Sequence, residues 1–171
     1  MVGGVPGVGK STAARQVMRL AERGPGLVQW VDVDDLWFHR PWRVDARTRA
    51  LVEANLRAVA DNAARAGVDV LLITWVFQSA EMHRLVAGLL PPAVTTVSVQ
   101  LRASPEAWRR RFEADPERGQ VTDFYRGQYA SAQQTPADHV IETDGLTPAE
   151  VARRVAEILS PGGIGALGGR Q

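Results

Sequence analysis

The hydrophobic residues of this chain alternate between short apolar runs and longer stretches in which they recur at helical spacing. The short runs predict strands at 1–3, 27–33, 68–77, 94–101 and 139–142. The helical spacing predicts helices at 10–23, 44–66, 81–90, 104–113, 122–134 and 147–159. Strands that alternate with helices favour an α/β fold with a parallel sheet covered on both faces. Ligands of such sheets bind beyond the carboxyl ends of the strands, so we expect the functional residues there.

Length and composition narrow the class of protein. We place one domain at residues 1–159 and a flexible tail, rich in Pro, Gly and Ala, at residues 160–171. A net charge of +1 gives no strong field toward nucleic acid, and the absence of cysteine excludes disulfides and thiolate metal sites. No apolar run is long enough for a membrane helix and no signal peptide precedes the first motif, so we expect a cytoplasmic protein.

A glycine-rich motif near the start of the chain carries the strongest functional signal. Residues 4–12 read Gly-Val-Pro-Gly-Val-Gly-Lys-Ser-Thr and fit the P-loop pattern G-x-x-x-x-G-K-[ST]. Glycines let backbone amides surround a phosphate chain, and the helix that follows adds positive charge. Lys10, the only lysine of the chain, would reach the β and γ phosphates, and the Ser11 hydroxyl would bind Mg²⁺. The alternative is a glycine-rich turn that only caps a helix.

The motif therefore predicts a binding site for ATP or GTP. The residues that we expect to bind the nucleotide are Gly4, Pro6, Gly7, Val8, Gly9, Lys10, Ser11 and Thr12. A buried strand normally precedes a P-loop, but only residues 1–3 are available here, against about five or six in a usual strand. We expect either that a few residues are missing at the amino terminus or that the central strand is weakly anchored.

Acidic residues follow the second predicted strand, at Asp32, Asp34 and Asp35. Period-two alternation puts Asp32 and Asp34 on one face of that strand. A carboxylate near the γ-phosphate could accept a proton from an attacking hydroxyl or hold a water bound to Mg²⁺. We therefore expect Asp34 to be catalytic and Ser11, Asp32 and Asp34 to form a metal site. The alternative is a solvated loop in which Asp35 caps a short helical turn.

An aromatic segment comes directly after these acids and contains Trp37, Phe38, His39, Pro41 and Trp42. These residues could line an apolar pocket for a phosphoryl acceptor, because small-molecule pockets are mostly hydrophobic. Ordinary packing of a loop on the sheet explains the same pattern equally well.

Arginines cluster at the end of one predicted helix and in the loop that follows it. Phosphoryl transfer spreads negative charge over the γ-phosphate oxygens, and arginines on a closing lid can stabilise that charge and exclude water. We expect Arg111 and Arg118, beside or within a lid at about 112–122, to act in catalysis. Arg109 and Arg110 fit a solvated basic helix face. Two arginines near strand ends are weaker candidates for phosphate or acceptor contacts: Arg84 and Arg102.

The order of these features resembles that of small P-loop kinases, which include shikimate and gluconate kinases, nucleoside monophosphate kinases and chloramphenicol phosphotransferase. The features are the P-loop, the Asp-containing second strand, the arginine-rich lid and the segment His-Val-Ile-Glu-Thr-Asp-Gly-Leu-Thr-Pro at 139–148. The similarity extends from about residue 2 to 159, and 66–73 with Val76-Phe77 is most similar to the antibiotic kinase. The resemblance implies a three-layer P-loop NTPase fold whose five parallel strands lie in the order 2-3-1-4-5. It also implies transfer of a γ-phosphate to a small hydroxyl- or phosphate-bearing acceptor.

The resemblance also implies roles for individual residues. Asp34 matches the acid that serves as base in the chloramphenicol enzyme. Arg111 matches the arginine that stacks on the nucleotide base, and Arg118 matches a lid arginine. The loop that flanks the base on its other side is matched by Asp144, Gly145 and Leu146.

One position departs from the family pattern. Several relatives carry an acid within or after the third strand, where this chain has Thr74 and Trp75. Metal binding would then depend on Ser11, with Asp32 or Asp34 in support. We expect a kinase that uses ATP or GTP and Mg²⁺ to phosphorylate a small molecule, such as an antibiotic or natural product. The alternatives are a nucleotide or metabolite kinase and, because the acid is missing, a regulatory ATPase that binds nucleotide without phosphotransfer.

Overall fold

The computed structural model describes residues 1–159, and its elements follow the predicted alternation of strands and helices. The strands are β1 (Val2–Gly3), β2 (Val28–Asp32), β3 (Val70–Thr74), β4 (Val99–Arg102) and β5 (His139–Glu142). The helices are α1 (Lys10–Ala21), α2 (Val33–Leu36), α3 (Ala46–Arg65), α4 (Ala80–Leu89), α5 (Pro105–Glu113), α6 (Asp123–Gln134) and α7 (Pro148–Leu159). The tail at 160–171 lies outside the described residues. Within the described part, no helix combines the length and the apolar character that crossing a membrane requires.

The five strands form one parallel sheet in the order β2-β3-β1-β4-β5, which confirms the predicted topology. The short β1 lies at the centre and is bonded on both sides. The Trp75 amide donates to the Val2 carbonyl at 3.2 Å, and the Val99 amide donates to the Met1 carbonyl at 2.8 Å. Because the carboxyl ends of parallel strands share one edge of the sheet, the segments after β1, β2 and β3 meet there.

Two apolar clusters, one on each face of the sheet, hold the three layers together. On one face, Val17 of α1 and Phe112 of α5 are fully buried with residues of β4 and α7. On the other face, Leu56 of α3 and Val86 of α4 pack with Phe77, which follows β3. Each such side chain stabilises the fold by about 1.5–3 kcal/mol on burial. The sheet with helices on both faces is therefore the architecture that the sequence predicts.

Side-chain caps fix the start of the two helices that frame the carboxyl edge of the sheet on one side. At α5, the Ser104 hydroxyl accepts from the Ala107 amide at 3.3 Å, and Pro105 occupies the first turn. At α7, a Glu150 carboxylate oxygen accepts from the Thr147 amide at 2.7 Å, and the Thr147 hydroxyl accepts from the Glu150 amide at 3.3 Å. This reciprocal pair is a capping box.

The end of β2 differs from the prediction. The strand ends at Asp32, whose carboxylate accepts from the Asp34 amide at 3.2 Å and begins the short helix α2. Asp34 and Asp35 therefore lie on a helical turn, so the prediction that alternation puts Asp32 and Asp34 on one strand face is wrong. Asp32 caps this turn, in the place that the alternative interpretation gave to Asp35. A local bond from an aspartate to a nearby amide competes with the strand ladder, and periodicity does not report it.

Two other strand ends are also shorter than predicted. β3 ends at Thr74 and not at Phe77, and β4 begins at Val99 and not at Val94. Both ends coincide with the ends of neighbouring strands: Thr74 pairs with Asp32, the last residue of β2, and Val99 pairs with the first residues of β1 and β5. Phe77 is nevertheless fully buried, so the long apolar run indicates burial and not strand pairing.

Candidate functional site

A cleft of about 550 Å³ opens along the P-loop and the first turns of α1. Its other walls come from α5 and the loop after it, from the segment after β5 and from the start of α7. The walls include Arg111, Arg118, Thr143 and Leu146. The volume lies within the usual range for small-molecule sites. The fold therefore brings the P-loop and both predicted catalytic arginines to one cleft.

The P-loop residues that face this cleft form an anion nest. Gly7 and Gly9 have φ angles of +83° and +109°, a conformation that other residues rarely adopt. The backbone amides of Gly7, Gly9, Lys10, Ser11 and Thr12 make no hydrogen bond within residues 1–159. Free amides at a helix amino terminus, together with its partial positive charge, bind anions. The loop is shaped to accept a phosphate chain.

Gly4 and Pro6, which the sequence predicts as nucleotide contacts, lie behind the surface of the nest. Gly4 is buried, with a φ of +141°. The Pro6 carbonyl accepts from the indole Nε1 of Trp108 in α5 at 2.8 Å. These residues hold the shape of the loop, whereas residues 7–12 line the cleft.

Lys10 is buried, with 8% of its surface exposed. Its ammonium donates to the carbonyls of Gly4 at 2.9 Å and Val5 at 3.3 Å. Burial lowers the pKa of Lys10 to about 8, although Asp34 and Asp32 act to raise it. The ammonium is therefore held by neutral carbonyls in a poorly hydrated place, where a bound anion would stabilise its charge strongly.

Ser11 and Asp32 form the second part of the site. The Ser11 hydroxyl donates to one Asp32 carboxylate oxygen at 3.1 Å, while the other oxygen caps α2. An adjacent hydroxyl and carboxylate are the hard oxygen ligands that suit Mg²⁺. Across residues 1–159, no three His, Cys, Asp or Glu side chains come together as a possible metal-binding group. The residues present thus fit a metal that keeps several water or phosphate ligands.

Asp34 lies on α2 at the same edge of the sheet. One of its carboxylate oxygens accepts from the indole Nε1 of Trp75 at 3.1 Å. Partial loss of hydration in the recess raises the pKa of Asp34, as does the nearby Asp32, whereas Lys10 and the Trp75 bond lower it. The side chain nevertheless reaches solvent, so an incoming molecule can contact it. The carboxylate is therefore placed where it could accept a proton from a bound hydroxyl.

The two predicted lid arginines make different contacts. Arg111 donates through both terminal nitrogens to Thr143, at 2.7 Å to its hydroxyl and 2.9 Å to its carbonyl. Arg118 donates to an Asp115 carboxylate oxygen at 2.7 Å, and its guanidinium carbon lies 5.7 Å from the centre of the Phe112 ring. Arg111 is thus fixed to the segment after β5, whereas Arg118 contacts its own loop and the end of α5.

The predicted base-flanking loop divides into two parts. Leu146 lines the cleft together with Thr143, while Asp144 and Gly145 lie outside its walls. The Asp144 carboxylate accepts from the Ser104 amide at 3.1 Å, and hydrogen bonding to Ser104 holds the pKa of Asp144 below its ordinary value. Asp144 therefore anchors the loop to the start of α5. Thr143 was not among the predicted residues, although it directly precedes them in the sequence.

The aromatic segment after α2 packs largely on itself. The His39 and Trp42 rings stack with centres 5.4 Å apart, and Trp37 lies 6.1 Å from Trp42. Phe38 is 80% exposed, with the Arg40 guanidinium carbon 4.8 Å from its ring centre. None of these aromatic rings lines the cleft along the P-loop. The aromatic segment is therefore not part of the cleft along the P-loop.

The two weaker arginine candidates and the two arginines assigned to a solvated helix face lie outside the cleft walls. Arg84 pairs with Glu81 on the surface of α4 at 2.8 Å. Arg102 donates to the Thr135 carbonyl at 3.2 Å. Arg109 and Arg110 are exposed on α5, in keeping with a solvated helix face. Sequence reasoning missed other residues of the walls, among them Arg15, Asp115, Glu117, Pro148 and Val151.

A comparison with sequence families identifies the kind of domain that carries this site. The family described as AAA domain matches residues 1–129, well over half of the chain. The chain belongs to this AAA domain family. No curated protein sequence matches the chain.

Solved structures share the fold of this AAA domain. The tunicamycin resistance protein of Deinococcus radiodurans is 20% identical, with 93% of each chain covered and a TM-score of 0.69. A sugar kinase of Janibacter sp. is 20% identical, with 94% of each chain covered and a TM-score of 0.67. The APS kinase of Mycobacterium tuberculosis, solved with AMPPNP and APS, is 24% identical, with 92% of this chain and 94% of that chain covered and a TM-score of 0.64. These likenesses confirm the resemblance to the small P-loop kinases in fold.

Proposed function

We propose that this AAA domain is a kinase that transfers the γ-phosphate of ATP or GTP to a small molecule. The observation that carries the proposal is the arrangement at one edge of the sheet. Five free P-loop amides and the buried ammonium of Lys10 lie beside a cleft. The Asp34 carboxylate is near enough to Lys10 for its charge to act to raise the pKa of the ammonium. A triphosphate site next to an accessible carboxylate is what phosphotransfer to a hydroxyl requires.

The nucleotide is proposed to bind along the cleft, with its phosphates in the nest. Lys10 would leave the carbonyls of Gly4 and Val5 and donate to the phosphates. Arg111 and Leu146, which both line the cleft, would enclose the base. Mg²⁺ would be held by Ser11 and Asp32 together with water and phosphate oxygens, and it would neutralise charge on the phosphates. The solved APS kinase with bound AMPPNP supports nucleotide binding by this fold.

The proposed reaction uses Asp34 as the base. The acceptor oxygen attacks the γ-phosphorus, its proton passes to the Asp34 carboxylate, and the bond to the β-phosphate oxygen breaks to release ADP or GDP. Arg118 would close over the transferring group with the lid and stabilise its charge. Its present partner, Asp115, is part of the same loop, so closure would carry both residues together.

The acceptor is proposed to be an antibiotic or another natural product with a free hydroxyl. Two observations support this class: the aromatic segment with Trp37 and Phe38 after α2, and the fold shared with a tunicamycin resistance protein. A metabolite or nucleotide acceptor is the second candidate, supported by the fold shared with a sugar kinase, a gluconokinase and an APS kinase.

The test is a screen for acceptor-dependent release of ADP. Purified protein with Mg·ATP is offered panels of hydroxyl-bearing antibiotics, sugars, nucleotides and sulfonucleotides, and each product is checked by mass for one added phosphoryl group. Asp34→Asn keeps the size of the side chain but removes the base, so turnover should fall about a hundredfold or more while AMPPNP still binds. Lys10→Ala should weaken AMPPNP binding itself.

A regulatory ATPase would give a different result. It would bind AMPPNP, and no acceptor in any panel would raise the rate of ADP release. Equal turnover in wild-type protein and Asp34→Asn would exclude Asp34 as the base and contradict the proposed mechanism.

A further inference from the structure

Trp75 lies where several of the resembling kinases carry an acid, and the structure gives this position a defined contact. Trp75 directly follows β3, and its amide donates to the Val2 carbonyl of β1 at 3.2 Å. The preceding residue, Thr74, is fully buried, and its hydroxyl accepts from the Trp30 indole at 2.9 Å. The backbone of Trp75 is thereby fixed to the central strand, next to the P-loop.

The Trp75 ring is also fixed. Its centre lies 5.9 Å from that of Phe77, with the rings at 78° to each other in an edge-to-face contact. Phe77 is fully buried and stacks on His83 of α4 at 4.3 Å. Since the indole is held by the core at one end, the direction of its N–H is set by the sheet and not by solvent.

That N–H donates to Asp34 Oδ1 at 3.1 Å. It is the only hydrogen bond that the Asp34 side chain makes within residues 1–159, so Oδ2 remains free to accept a proton. In the neighbouring Asp32, by contrast, both carboxylate oxygens are occupied. One accepts from the Ser11 hydroxyl and the other from the Asp34 amide of α2. α2 has only four residues and would hold Asp34 loosely without this contact.

We propose that Trp75 is a positioning residue that holds the Asp34 carboxylate in place for proton abstraction. An indole suits this role because it donates one hydrogen bond and carries no charge. An arginine or lysine at this position would pair with the carboxylate and neutralise it, and an acid would repel it. On this proposal, the tryptophan that stands in place of the acid after β3 has a role of its own beside the base. The inference rests on the proposed function, in which Asp34 is the base.

The contact is tested first, without any reaction. With ¹⁵N-labelled tryptophan, each of the five indole N–H groups of the chain gives an NMR signal. Asp34→Ala should shift the Trp75 signal strongly and leave that of Trp108, which donates to Pro6, in place. A Trp75 signal that does not move in Asp34→Ala overturns the inference, whatever the activity of the protein.

The role is tested by steady-state kinetics of Trp75→Phe and of the isosteric analogue benzothienylalanine at position 75, which lacks only the N–H. Both should lower kcat about ten- to a hundredfold and leave the KM for ATP within about twofold, because a bond to a charged group is lost at the base. The matched control is Trp30→Phe, which loses the indole hydrogen bond from Trp30 to the Thr74 hydroxyl, a bond about as long as that from Trp75 to Asp34. This variant should keep kcat within about threefold of the wild-type value.

The outcomes separate the two proposals. A kcat loss in Asp34→Asn without one in the Trp75 variants overturns the inference and leaves the proposed function standing. A kcat loss no larger in the Trp75 variants than in Trp30→Phe has the same meaning. Full turnover in Asp34→Asn excludes Asp34 as the base, and the inference falls with that role, whereas a wild-type protein that phosphorylates no acceptor overturns the proposed function.

Discussion

The affinity for nucleotide should fall steeply above pH 8, because the ammonium of Lys10 must be charged to bind phosphate. The pKa of Lys10 in the free protein is about 8, against an ordinary value of 10.5, and burial is the main cause. Bound phosphates would stabilise the charged form and return the pKa toward or above its ordinary value. Binding and protonation of Lys10 are therefore linked, and the linkage acts between pH 8 and about 10.5.

The size of the effect follows from these values. At pH 7 about nine free molecules in ten carry a charged Lys10, and at pH 9 about one in ten does. The dissociation constant should therefore rise about tenfold from pH 7 to pH 9, equivalent to about 1.4 kcal/mol. At pH 8 about half a proton should be taken up for each nucleotide bound. Calorimetric titration with Mg·AMPPNP, in buffers of different ionisation enthalpy, measures both quantities.

The control is Lys10→Arg, whose guanidinium stays charged over this whole range. Any residual binding by this variant should show no break near pH 8. A wild-type dissociation constant that stays level from pH 7 to pH 9 would refute the reasoning. A decline that persists unchanged in Lys10→Arg would assign the effect to another group.

Three further predictions concern the P-loop, the lid and the amino end of the sheet. Gly7→Ala should cost about 1–3 kcal/mol in urea unfolding and weaken AMPPNP binding, because φ is +83° and the added methyl would lie 3.2 Å from Phe112 Cα. Arg118→Ala should lower kcat about tenfold or more in the acceptor assay without measurable loss of stability, because its ion pair is partly exposed. Asp138→Asn should make the free energy of unfolding depend less on pH in the acid range. Hydrogen bonds to Ser98 hold the pKa of Asp138 below its ordinary value of 3.8, so the stabilisation by this carboxylate is present above pH 3.8 and is lost as the pH falls below it.

Each of these predictions has an outcome that contradicts it. Gly88→Ala, at an open position of α4, should instead stabilise the protein by about 0.5–1 kcal/mol, and equal effects at Gly7 and Gly88 would contradict the P-loop argument. A kcat for Arg118→Ala within twofold of wild type would remove Arg118 from catalysis. For Asp138→Asn, the free energy of unfolding is measured between pH 5 and pH 2. A fall with decreasing pH as steep as in the wild-type protein would contradict the prediction.

The P-loop and the sheet could be predicted because both depend on local or periodic signals. A phosphate site needs unobstructed backbone amides and an ammonium group. The glycines and Lys10 of residues 4–12 indicate both directly in the sequence. The short apolar runs that alternate with stretches of helical spacing were sufficient to predict a parallel sheet. Arg111 and Arg118 were predicted from residue type and position, and the fold places both in the cleft wall.

The rest depends on contacts between residues far apart in the chain. The end of β3 at Thr74 coincides with the end of the neighbouring strand β2 at Asp32, which no property of residues 68–77 reveals. The bond from Trp75 to Asp34 joins residues 41 positions apart, and the bond from Arg111 to Thr143 joins residues 32 positions apart. The turn at Asp32 is local, but alternation cannot detect an aspartate that caps a turn.

The most direct test of the central claim is a crystal structure of the protein with Mg·AMPPNP. The account predicts the β and γ phosphates within hydrogen-bond distance of the residue 7–12 amides, with Lys10 Nζ moved from the Gly4 and Val5 carbonyls to the phosphates. It also predicts the Asp34 carboxylate on the open side of the γ-phosphate, still bonded to Trp75. A nucleotide bound elsewhere, with Lys10 still on the two carbonyls, would contradict the account.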